Sequence, residues 1–145
     1  MNKTLVEPTQ VPNVKIYKMP CYSDIRGSLT ATEFENSAPF IPRRYFLVYD
    51  VPSKETRGQH AHINCHQFLV CISGSCSVEA DDGVRRQEFV LDSPNIGLYL
   101  PPMIWGTQHK YSSNAVLLVL ASELYQSEDY IRDYEQFLNM KTLGK

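Results

Sequence analysis

The chain has no apolar run approaching the roughly 18 residues that mark a membrane-spanning helix. Its first residues, Met1-Asn2-Lys3-Thr4-Leu5, carry no signal-peptide pattern, so a cytoplasmic protein is expected. Cysteine is sparse: Cys21, Cys65, Cys71 and Cys76 are the four present, and none stands in C-x-x-C spacing. Without a secretory signal they read as buried free thiols in a reducing cytosol. Charge of one sign is also missing. A net charge of −2 argues against bulk nucleic-acid binding and against a membrane surface as partner. It leaves room for a local arginine site that takes a phosphorylated small molecule. There is no internal repeat, low-complexity tract or linker, and 145 residues suffice for one domain, 1–145, with its own core.

What is there is mostly short strands and turns. Val14–Tyr17 alternates, and Ser23–Gly27 turns into Ser28–Glu33. Arg44–Asp50 is rich in β-formers between Pro42 and Pro52. Gln59–Ile72 follows, then a Gly74 turn and Ser75–Ala80. Asp81-Asp82-Gly83 is a hairpin signal, with Arg86–Leu91 as the return strand. Ile96–Leu100 precedes Pro101-Pro102, and Ala115–Ala121 is an apolar run suited to a central strand. Only the C-terminus has helical spacing, over about 127–140. Ser127 is the expected N-cap, Glu128 and Asp129 fill the first turn, and Tyr130, Ile131, Tyr134, Phe137 and Leu138 form a stripe packed on a sheet. The expected fold class is therefore all-β, a jelly-roll barrel or sandwich with a short C-terminal helix. Such folds hold ligands in the mouth or interior.

The stretch that carries chemistry is Arg57-Gly58-Gln59-His60-Ala61-His62. Side chains at i and i+2 of a strand share a face, about 6.5–7 Å apart along the chain. His60 and His62 thus face one pocket, and His66 has the same parity if the strand runs on unbroken. An H-x-H on a strand is first a metal suspect, since imidazole suits Zn, Fe, Ni or Cu. Metal-binding cupins, the jelly-roll proteins that this pattern resembles, keep a glutamate four residues after H-x-H and a further histidine after a Pro-rich turn. Here those places hold His66 and Gly106. The ligand set therefore favours a metal-free site, with a His60/His62/His66 metal site as the minority reading. Without metal, an inward imidazole pair suits proton transfer, its ordinary pKa of about 6.5 lying close to working pH. Arg26 and Arg57 each precede a glycine, and guanidinium forks match phosphate oxygens. Together they read as a diphosphate clamp, while Arg43 and Arg44 stand before a strand.

With Cys71-Ile72-Ser73-Gly74-Ser75-Cys76, Leu91-Asp92-Ser93-Pro94, Gly97-Leu98-Tyr99, Pro102-Met103-Ile104-Trp105 and Asp129-Tyr130-Ile131-Arg132-Asp133-Tyr134, the hexapeptide resembles the dTDP-4-keto-6-deoxy-D-glucose 3,4-ketoisomerases. The likeness runs from about Arg26 to Phe137. It implies a cofactor-independent cupin that isomerises a dTDP-linked ketosugar on routes to aminosugars of surface glycans. It further implies a homodimer that exchanges N-terminal strands. In this likeness His60 and His62 are catalytic, Arg26 and Arg57 hold the diphosphate, and Tyr99, Trp105 and His109 join the substrate site. His60 is taken as the base at C-3 and His62 as the proton shuttle. Two residues depart from the pattern: the place of a family tyrosine, fourteen residues before His60, is Phe46, and Gly106 stands where the family commonly has a histidine after the tryptophan. Tyr45 points to the other face, which leaves Tyr99 and Tyr111 as hydroxyl candidates. A dTDP-sugar 3,5-epimerase is the alternative enzyme. Its signature couples a histidine to an aspartate and a tyrosine that the sequence alone does not locate. A sugar-nucleotide-binding cupin without activity is the non-enzyme alternative.

Overall fold

The computed structural model describes residues 3–52 and 54–144. In chain order the strands are β1 (Leu5–Pro8), β2 (Lys15–Lys18), β3 (Cys21–Asp24), β4 (Gly27–Thr30), β5 (Arg44–Tyr49), β6 (Arg57–His62) and β7 (Gln67–Ser73). They continue as β8 (Cys76–Asp81), β9 (Arg86–Leu91), β10 (Ile96–Leu100), β11 (Trp105–His109) and β12 (Val116–Ala121). A 3-10 turn at Ser127–Asp129 then leads into the two-residue β13 (Tyr130–Ile131) and the helix α1 (Tyr134–Leu143). No helix of the described residues is long and apolar enough to cross a membrane.

The strands form two facing antiparallel sheets, β1-β2-β10-β7-β12-β5 and β13-β6-β11-β8-β9, with β3 and β4 as a separate hairpin. Alternation decides what each face meets. In β12, Leu117, Val119 and Ala121 are fully buried between the sheets, while Val116, Leu118 and Leu120 lie half-buried on the opposite face. β7 breaks the alternation because both of its faces are covered. Leu69 and Cys71 enter the central core with Val78, Leu91, Leu98 and Leu117, whereas Phe68 and Val70 pack outward with Met19, Tyr17 and Tyr99. Each fully buried aliphatic side chain of that core contributes about 1.5–3 kcal/mol. A third cluster joins Ala61, Trp105, Ile131 and Phe137 and fixes α1 to the outside of the five-stranded sheet.

Four expectations change here. Gln59–Ile72 is not one strand: β6 ends at His62, and β7 begins at Gln67 in the other sheet. The helix starts at Tyr134 rather than near 127. Its N-cap is Asp133, whose side chain accepts from the Glu135 N–H, and Gln136 completes a D-x-x-Q capping pattern. The acidic Ser127-Glu128-Asp129 turn mimics a helix N-terminus, but the chain then extends to pair β13 with β6, Tyr130 opposite His62 and Ile131 opposite Ala61. The third change is at residues 23–33, where the strand of the hairpin stops at Thr30 and the turn glycine Gly27 already belongs to it. Fourth, Cys65, Cys71 and Cys76 are buried free thiols as expected, but Cys21 is exposed.

Candidate active site

Residues of β5, β6, β11 and β13, with Arg132 just beyond it, line a cavity of about 240 Å³ at the mouth of the sandwich. Phe46, Val48, Arg57, Gly58, His60, Gln108, Tyr130 and Arg132 line it. His60 stands on its wall. His62 lies behind, 4% exposed, so the two imidazoles share a face but not a role. Their Nε2 atoms are 3.1 Å apart, and His62 Nδ1 lies 2.9 Å from Asp129 Oδ2. Asp129 is itself buried and accepts from the Asn64 and Cys65 backbone N–H groups at 2.7 and 3.2 Å. The Tyr130 ring packs on both imidazoles, with centroids 4.9 Å from His60 and 4.4 Å from His62. The Arg132 guanidinium lies over the outer face of that ring at 4.3 Å.

These contacts assign the protons. A carboxylate that already accepts from two backbone donors takes the His62 Nδ1–H as its third. Neutral His62 then offers a lone pair at Nε2, which accepts from His60 Nε2–H. That leaves Nδ1 as the basic nitrogen of His60, and it has no partner among the described residues. Burial, with smaller contributions from His62 and Arg132, lowers the His60 pKa to about 4. Burial lowers His62 as well, opposed by its hydrogen bond and charge interaction with Asp129. Both rings are therefore neutral near pH 7.

Not every expected site residue is here. Arg57 lines the cavity, but Arg26 sits at the exposed tip of the β3–β4 hairpin, paired with Asp24, so one chain does not bring the two arginines together. Tyr99 lies on the outer face of the six-stranded sheet. Its hydroxyl bonds His66 Nδ1 at 2.6 Å, in the turn between β6 and β7. His66 is thereby turned away from His60 and His62, because the strand that would have aligned it ends four residues earlier. Trp105 and His109 alternate with the inward Gly106 and Gln108 and so face outward. Trp105 packs on Tyr134 and Phe137 of α1, and His109 lies 3.5 Å from Glu88. Of the hydroxyl candidates, Tyr111 is buried beside the cavity with its hydroxyl on Gln108, and Phe46 lines the wall itself.

The residues that sequence reasoning missed are Asp129, Tyr130, Arg132 and Gln108. Asp129 and Tyr130 supply the aspartate and tyrosine beside a histidine that the sequence alone did not locate. Read as an extended segment, Asp129-Tyr130-Ile131-Arg132 places Tyr130 and Arg132 on one face, and that period-two pattern was the available signal. Among the described residues, His62, Cys65 and Asp129 hold metal-capable atoms within 4.8 Å of one another. Both Asp129 oxygens are already hydrogen-bonded, and Cys65 Sγ contacts the His66 carbonyl, so this cluster reads as a hydrogen-bond network. The places where metal cupins carry their other ligands, His66 and Gly106, offer the cavity nothing.

A jelly-roll sandwich with inward imidazoles at its mouth defines a cupin. The chain matches the WxcM-like, C-terminal (FdtA) family over residues 12–142 and belongs to it. It is 47% identical over 114 residues to the TDP-4-oxo-6-deoxy-alpha-D-glucose-3,4-oxoisomerase of Aneurinibacillus thermoaerophilus, covering 79% of this chain and 82% of that one. A 3,4-ketoisomerase from Helicobacter canadensis superposes with a TM-score of 0.86 at 38% identity, over 90% of this chain and 98% of the other. A mutant of the 3,4-ketoisomerase QdtA from Thermoanaerobacterium thermosaccharolyticum, in complex with TDP-4-keto-6-deoxyglucose, superposes with a TM-score of 0.89 at 32% identity, over 92% and 97%. The chain is an isomerase of this kind.

Proposed function

We propose that the protein converts TDP-4-keto-6-deoxy-D-glucose to the 3-keto sugar through an enediolate, supplying a 3-keto group for amination to a 3-amino-3,6-dideoxy sugar. The observation that carries this is the chain His60–His62–Asp129 opening on a sugar-sized cavity. His60 Nδ1 removes the C-3 proton, and the electron pair moves to the C-4 oxygen. A base of pKa about 4 is fully available at pH 7 but intrinsically weak. The relay compensates: as His60 takes the C-3 proton at Nδ1, its Nε2 proton passes to His62, whose imidazolium then faces the Asp129 carboxylate. Protonation at C-4 and transfer of the C-3 hydroxyl proton to the C-4 oxygen complete the shift, with no net redox change. A cavity of this size matches the sugar, and the diphosphate then lies toward the exposed Arg57 and Arg132.

The same reading makes the protein a homodimer. A two-stranded hairpin is marginal alone, yet β3–β4 stands apart from both sheets with Ile25 fully exposed and Tyr22 and Leu29 also exposed. Exchange onto a second copy would cover it and deliver Arg26 to the partner's cavity mouth. Sedimentation at a single chain mass would sink this part of the proposal.

Incubation with TDP-4-keto-6-deoxyglucose and product identification by NMR tests the function. A carbonyl at C-3 is expected, whereas a 4-keto product inverted at C-3 and C-5 would identify an epimerase instead. The pH profile tests the base. Because the His60 pKa is lowered, kcat/KM should stay level as pH falls through about 6.5 and decline only toward about 4. An acid limb centred on the ordinary imidazole value would contradict it. In the same window the unfolded state binds protons that folded His60 and His62 refuse, so thermal stability should erode progressively below about pH 6.5.

A further inference from the structure

Among the described residues Gln108 is the one carboxamide on the cavity wall, and its hydrogen bond to Tyr111 sets which way it points. It lies on β11 two residues from Gly106, the register partner of His60, and faces inward with it. Its Oε1 receives the Tyr111 hydroxyl at 2.8 Å. Tyr111 is 2% exposed and its hydroxyl has no other acceptor among the described residues, so it donates here. Burial raises the Tyr111 pKa, and the hydroxyl keeps its proton throughout the working range. With Oε1 committed, Nε2 points the other way. That NH2 has no acceptor among the described residues, yet it is not among their enclosed unpaired atoms, of which His109 Nε2 is the single case. It is therefore a donor open to the cavity beside the base.

A second observation concerns Gly58. Its φ is +67°, and a Cβ built there would lie 2.7 Å from Gln108 Nε2 and 2.8 Å from Cδ. The glycine of the Arg57-Gly58 turn thus both adopts the left-handed conformation and leaves the volume that the amide occupies. Gly58 leaves room for the amide, and the Tyr111 hydroxyl sets its orientation.

Resting on the ketoisomerase reading above, we infer that Gln108 is a further catalytic residue, whose Nε2 donates to the oxygen on C-4 as negative charge develops there in the enediolate. Arg57 and Arg132 are exposed and long; the amide is buried and preoriented, as an oxyanion donor must be.

Q108E separates this role from a structural one. The glutamate retains an oxygen for Tyr111 but replaces the donor with a carboxylate facing the enediolate. The expected result is a fall in kcat of about 10²- to 10³-fold, with TDP affinity and the far-UV CD spectrum unchanged. Q108E that keeps wild-type kcat would overturn the inference, as would a loss confined to KM. Should Q108E fail to fold, Q108M and Y111F carry the test. Q108M is expected to lose about 10²-fold in kcat. Y111F frees the amide to rotate and should lose less than Q108M. Wild-type kcat in both would equally overturn the role. Wild-type protein assayed alongside keeps the two readings apart: no 3-keto product from it defeats the ketoisomerase assignment, whereas an active wild type with an equally active Q108E defeats only Gln108.

Discussion

Replacing His60 with Asn is expected to lower kcat by about 10³- to 10⁴-fold while leaving TDP binding intact. His60 is the imidazole on the cavity wall, and its Nδ1 carries the free lone pair once Asp129 has set the tautomers of the chain behind it. Asparagine fills similar space and can still bond His62, but it cannot accept a proton from carbon. The protein should therefore fold, bind nucleotide and stop at the first step. NMR in D₂O is the check: the variant should leave the C-3 proton of the substrate in place over times when wild type exchanges it completely. Retained exchange in H60N would move the base to another residue.

The second large effect is at Asp129. An asparagine there, whose oxygen keeps the Asn64 N–H, the shorter of the two backbone bonds, turns its NH₂ to His62 Nδ1 and donates instead of accepting. His62 must then carry its proton on Nε2 and donate to His60 Nε2, and His60 protonates on Nδ1. One substitution two residues removed from the substrate thus blocks the base without touching it. Where a comparable Asp→Asn change forces the wrong tautomer in Ser–His–Asp hydrolases, the cost is about 10⁴-fold. Here the carboxylate acts one imidazole further back, and a fall in kcat of about 10²- to 10³-fold is expected. The ¹⁵N shifts of the His60 ring should report the exchanged tautomer, a signature that simple loosening of the fold would not give. D129N also turns an NH₂ group toward a backbone N–H that needs an acceptor, at a cost of about 1–3 kcal/mol in stability. A D129N protein with wild-type kcat would break the relay.

The strands were legible in the sequence because alternation and turn residues coincide: Arg44–Tyr49 and the Gly83 hairpin fall where period two and the turn chemistry place them. The reading of His60 and His62 as an inward pair rests on that same period and holds. It went too far at His66, because the turn at residues 63–66 holds no glycine or proline, so β6 and the buried, apolar β7 read as one long strand. Trp105, Tyr99 and His109 were attractive by residue type, but their orientation depends on where alternation starts in β10 and β11, which a Pro-rich loop conceals. Asp129 was hidden differently. Its partners lie 64 to 67 residues away in sequence, and acidic residues before an aromatic stripe imitate a capped helix.

On the proposed mechanism a proton leaves C-3 for His60 and another, in exchange with solvent, arrives at C-4. The most direct test is the position of deuterium in product formed by the wild-type protein from TDP-4-keto-6-deoxyglucose in D₂O. A 3-keto product with deuterium at C-4 and none at C-5 is expected. Deuterium at C-5, or a 3-keto product with protium carried over from C-3 to C-4, would contradict it.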